Sequence, residues 1–92
     1  MHPAVDKLIA ALDQGIAQVA AGYAVRNPRA RRLIGEFLAA GALSPDTAQP
    51  FHPRTTLERW TFAELLRHAV IRESRPGRYY LDERTLRRLA GP

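Results

Sequence analysis

Arg72, Arg75 and Arg78 are strung along Val70-Ile71-Arg72-Glu73-Ser74-Arg75-Pro76-Gly77-Arg78-Tyr79-Tyr80-Leu81-Asp82, the segment of this chain best equipped for chemistry. The chemistry open to them is the binding of anions. Arg75 and Arg78 bracket the Pro76-Gly77 dipeptide, where a turn projects outward, and each guanidinium there can neutralise a phosphate without selecting a base. A second group, Arg54, Thr55, Thr56 and Arg59, surrounds a candidate helix start, and a third, Arg29 and Arg32, lies on an earlier helix. These nine residues are the candidate nucleic-acid-binding set. The plainer expectation for the hairpin is that Arg72 and Glu73 point to opposite faces and pair with neighbours.

Other chemistries find little to work with. The two serines, Ser44 and Ser74, read as a helix cap and a turn residue. His2, His52 and His68 are far apart and lack metal-ligand spacing. His68 reads as a favourable contact with a helix C-terminus, and Glu58 and Glu64 as capping residues rather than an acid/base pair. There is no cysteine, which excludes disulfides and thiolate metal sites, and no glycine-rich phosphate loop. No catalytic residue, metal or cofactor is expected, and the chain is not read as an enzyme.

Net charge is +5, and thirteen of the fourteen basic residues are arginine. The charge is uneven. Residues 26–43 and 61–92 each sum to +3, residues 44–60 to zero and residues 1–25 to −1. Two basic zones around a neutral middle could cradle an anionic polymer or form solvated faces. No run approaches about 18 uninterrupted apolar residues, and the start lacks the pattern of a secretory signal. A cytoplasmic protein without a membrane span is therefore expected.

The elements that must position these arginines can be read from caps and periods. In residues 3–24, Ile9, Leu12, Ile16, Val19 and Tyr23 recur at helical spacing. That row is heptad-like, so it is a candidate homodimer interface as well as a packing face. Asn27-Pro28 is a strong helix start, followed by an apolar face of Ala30, Leu33, Ile34, Phe37 and Leu38 and by Gly41 as terminator. Ser44-Pro45 caps about one further turn, with Phe51 as its anchor to the core. Thr55-Thr56-Leu57-Glu58 and Thr61-Phe62-Ala63-Glu64 both match a capping box. The helix is expected from about Thr61 to His68, a start at Thr55 being the alternative. Pro76-Gly77 closes a hairpin, since proline presets the first central residue of a turn and glycine supplies the positive φ of the second. Asp82 caps a last short helix with Leu86 and Leu89 inward, ended by Gly91.

From Arg32 onward the chain resembles small, functionally obscure bacterial proteins. The matching residues are Ala40-Gly41-Ala42, Ser44-Pro45, Ala48, Leu65-Leu66, Val70-Ile71-Arg72-Glu73 and Gly77-Arg78-Tyr79-Tyr80-Leu81-Asp82. It is also similar to winged helix-turn-helix transcription regulators. The resemblance implies a mainly α fold with a small β-hairpin: a winged-helix-like domain over residues 27–92, including the short C-terminal helix, preceded by an amphipathic helix over residues 1–26. It further implies binding to double-stranded DNA or, in the alternative, a non-catalytic module that docks a protein partner. Two features depart from the pattern. Ala69 stands where such helices carry glycine before the first wing strand, so a different helix ending is expected there. Residues 55–68 balance Arg59 and Arg67 against Glu58 and Glu64, whereas a base-reading helix normally has a positive surround.

Overall fold

Asn27 separates two helical stretches. In the computed structural model, which describes residues 21–91, residues 21–26 are helical, and helix α1 follows over Pro28–Ala39. The Asn27 side chain accepts from the Arg29 amide at 2.8 Å, satisfying one of the donors that a helix start leaves without a partner. Of the expected dimer row, Ile9, Leu12, Ile16 and Val19 lie outside the described residues; Tyr23 lies within them and is exposed.

After α1 the chain makes a single 3-10 turn, Pro45–Thr47, closed by reciprocal contacts between Ser44 and Thr47. A short strand β1 (Gln49–Pro50), helix α2 (Thr56–Arg67), strands β2 (Ile71–Arg75) and β3 (Arg78–Leu81), and helix α3 (Glu83–Ala90) complete the order. The fold is mainly helical with a small antiparallel sheet. That sheet has three strands in the order β1-β3-β2, one more than the hairpin alone. Pro50, which has no amide to donate, sits in an edge strand, where its loss is harmless.

Helix α2 begins at Thr56, five residues before the expected start at about Thr61 and close to the alternative at Thr55. Thr55 is the cap, its hydroxyl accepting from the Glu58 amide at 3.0 Å. The second box is not used. Thr61 instead donates back to the Leu57 carbonyl at 3.0 Å, and Glu64 lies in the helix interior against Arg67. Apolar spacing gives no clear start here, because Leu57 and Trp60 face solvent.

Helices α1 and α2 end in the same way. Gly41 donates to Leu38 and Ala42 to Phe37; Ala69 donates to Leu66 and Val70 to Leu65. Both are Schellman endings, with the residue past the cap in the left-handed region. Gly41 has φ +69° and Ala69 φ +60°. Ala69 thus takes the ending that glycine normally makes, contrary to the expectation of a different one.

One apolar core joins the helices to β2 and β3. Leu33, Leu65, Val70, Ile71 and Leu81 are its largest fully buried side chains, and Ala21 and Val25 from the first helical stretch belong to the same cluster. An aromatic chain runs Phe37–Phe51–Phe62–Tyr79, with ring centroids 5.6, 4.7 and 4.9 Å apart. Each such pair adds about 0.5–1.5 kcal/mol beyond the area it buries. Phe51 is the middle link tying α1 to α2, as the anchor reading requires.

Candidate functional site

The hairpin tip is built by its turn and by a shift in register. Gly77 takes φ +81°, and its amide donates to the Glu73 carboxylate at 3.0 Å. Register runs Ile71↔Leu81, Arg72↔Tyr80 and Glu73↔Tyr79, then skips Ser74 to give Arg75↔Arg78. Two guanidinium-bearing residues therefore face one another across the tip. Neither makes an ion pair among the described residues, and like charges directly opposite in a sheet are unfavourable.

Arg72, on the same hairpin, is engaged. Its Nε donates to the Asp82 carboxylate at 2.8 Å. Asp82 also caps α3 by accepting from the Thr85 amide at 3.1 Å. The Thr85 amide first, with Arg72 adding to it, holds the Asp82 carboxyl below its ordinary range. Tyr79 and Tyr80 are both half-buried, and Tyr79 packs edge-on against Phe62. Burial, with the Glu73 carboxylate nearby, raises the Tyr79 phenol.

The second group forms where α1 and α2 pack. Arg29, Arg32, Thr55, Leu57 and Glu58 line one concavity of about 140 Å³. Arg54 beside it is clamped: its guanidinium donates to Glu36 at 2.7 and 2.9 Å and to Glu58 at 3.0 and 3.1 Å. The hydrogen bonds it donates to Glu58 and then to Glu36 raise the Arg54 guanidinium further above its already high range. Arg54 in turn lowers Glu58. Glu58 also accepts from the Arg54 backbone amide, one residue before the place a capping box would use. Arg29, Arg32 and Arg59 are exposed and make no ion pair among the described residues.

The nine candidates thus sort by state. Thr55 is a cap, and Arg54 and Arg72 are matched by carboxylates. Thr56 is exposed on the first turn of α2. Arg29 and Arg32 share one surface, Arg75 and Arg78 share another at the hairpin tip, and Arg59 projects from α2.

Two exposed apolar residues complicate the picture. Leu57 is 55 % and Trp60 70 % exposed. Together with Asn27, Arg29 and Glu64 they line a groove of about 230 Å³. Sequence reasoning missed them because it placed both before the expected helix start at about Thr61. The only signal was their awkward spacing relative to Leu65 and Leu66.

His68 caps the end of α2 with its Nε2 buried, 3.6 Å from the Glu64 carboxylate and without a hydrogen bond among the described residues. Among the described residues no group of three His, Asp or Glu could hold a metal ion. Nor is any helix among them long and apolar enough to cross a membrane. Comparison with protein-family models, with curated proteins and with solved structures returned no match.

Proposed function

We propose that this chain is a small winged-helix protein that binds double-stranded DNA chiefly through its phosphates, with residues 71–81 as the wing, and that it forms a homodimer. The order of helix, short turn, helix and basic hairpin supports the reading. The observation that carries it is Arg75 facing Arg78 across the tip without a carboxylate partner among the described residues. A phosphate between or beside them relieves the repulsion and releases counterions. Arg29, Arg32 and Arg59 extend the basic surface, and transcription regulation is the process such binding would serve.

The test is a titration of the full chain against generic duplex DNA at two salt concentrations. Affinity should fall steeply with salt. Arg75→Ala with Arg78→Ala should reduce the slope of log K against log salt by about 0.9 for each phosphate that is no longer neutralised. No binding at about 50 mM salt and micromolar protein, where even non-specific contacts register, would overturn the reading.

The exposure of Leu57 and Trp60 beside Arg29 favours a second reading, a non-catalytic module that docks another protein. Tryptophan and arginine dominate the energetics of interfaces. Retention of a purified, nuclease-treated partner that is lost on Trp60→Ala but kept by the Arg75→Ala, Arg78→Ala variant would support it. Recovery of nucleic acid alone would count against it.

A further inference from the structure

The face of α1 opposite to α2 carries a different surface. Ile34 and Leu38 of α1, Leu86 and Ala90 of α3, and Val25 form the apolar lining of a groove of about 450 Å³. Leu38 is 46 % exposed. Every charged residue lining the groove is basic: Arg26, Arg31 and Arg87. None of the three makes an ion pair among the described residues. Arg26 reaches across to the Ala90 carbonyl at 3.2 Å and so closes the end of α3.

Gly35 lies in the middle of α1 and in this groove. Glycine weakens a helix interior, so it needs a reason. Internal packing does not supply one, because a Cβ at Gly35 would meet nothing within 4 Å. The missing side chain leaves an open notch between Arg31, Ile34 and Leu38. Arg31 and Leu38 are seven residues apart on α1, a rise of about 10 Å or two helical turns. A partner helix presents apolar anchors over the same length at i, i+3 and i+7.

We propose that this groove docks an acidic amphipathic helix of another protein, its apolar face on Ile34, Leu38 and Leu86 and its carboxylates against Arg31 and Arg87. Charge complementarity calls for an acidic partner: an apolar groove with charges of one sign selects the opposite sign and rejects its own. The surface is separate from the hairpin arginines, so it stands or falls independently of DNA binding.

The experiment uses the full chain and a fluorescein-labelled synthetic peptide with leucines at i, i+3 and i+7 and glutamates at the flanking positions. Its control has the same leucines and lysines in place of glutamates. Anisotropy should show binding of the glutamate peptide, and binding at least about tenfold weaker for the lysine peptide. Gly35→Ala should weaken binding and Gly35→Phe should abolish it by filling the notch, the folding of both checked by thermal melting. Arg31→Glu with Arg87→Glu, both at exposed positions, should weaken the glutamate peptide by about tenfold or more. Arg75→Ala with Arg78→Ala should leave the peptide unaffected.

No binding of the glutamate peptide, equal binding of both peptides, or full binding by a folded Gly35→Phe variant would overturn the proposal. So would displacement of the peptide by duplex DNA, which would assign the groove to nucleic acid. A dimer dispersed by Gly35→Phe would assign it to a second copy of the chain, and would overturn the proposal as well.

Discussion

Ala69 and Gly41 occupy one position in two copies of the same helix ending, and the pair gives a prediction. A left-handed alanine costs about 1–2 kcal/mol relative to its favoured conformations, while glycine loses about 0.4–1 kcal/mol more chain entropy on folding. Ala69→Gly should therefore stabilise the protein by about 0.5–1 kcal/mol, and Gly41→Ala should destabilise it by a similar amount. Urea unfolding measures both, and a destabilised Ala69→Gly variant would contradict the assignment. Asp82 supplies a second residue-scale prediction. Its folded pKa lies below the ordinary carboxylate range because Thr85 and Arg72 donate to the ionised form. The stabilisation is therefore fully present above that range and is lost as pH falls through it. Glu58, lowered by Arg54, acts in the same direction. The melting temperature should fall below about pH 4. Asp82→Asn, which keeps a capping oxygen but removes the charge, should flatten that acid limb; an unchanged limb would mean that Asp82 is not its source.

Phe51 shows how elements are held together by residues outside them. It follows β1 in an irregular stretch, yet its ring lies between Phe37 of α1 and Phe62 of α2. Phe51→Ala should cost about 2–3 kcal/mol, below the range for fully buried phenylalanine because the ring is half-buried. A loss under about 1 kcal/mol would show that the aromatic chain does not tie the helices together. The anchor was legible in the sequence as a lone aromatic between two prolines. The edge strand was not, because Gln49-Pro50 has neither alternation nor β-branched residues, and its pairing with Arg78 and Tyr79 is a long-range event. The start of α2 was ambiguous for a related reason. Two capping signals six residues apart are locally equivalent, and the choice falls to Thr55, which Arg54 supports by bridging Glu58 to Glu36 on another helix.

On the scale of the whole molecule, the structure carries three separable surfaces: the hairpin tip, the Leu57–Trp60 groove with Arg29, and the notched groove at Gly35. Trp60→Ala should change stability by no more than about 0.5 kcal/mol, since an exposed side chain contributes little to the core. A larger loss in thermal unfolding would mean that Trp60 is structural and would remove the main support for protein docking. What the sequence determined by itself were the local devices: Asn27-Pro28, Ser44-Pro45, Pro76-Gly77 and Asp82. Each works through side-chain contacts or backbone angles within about four residues, so no other part of the chain is needed to read it. Only the tertiary structure decided which arginines remain available and which apolar side chains face water. Arg54 is matched by Glu36, eighteen residues away, and Arg72 by Asp82 across the hairpin. Such matches depend on distances between elements, and those distances exist only once the core has packed.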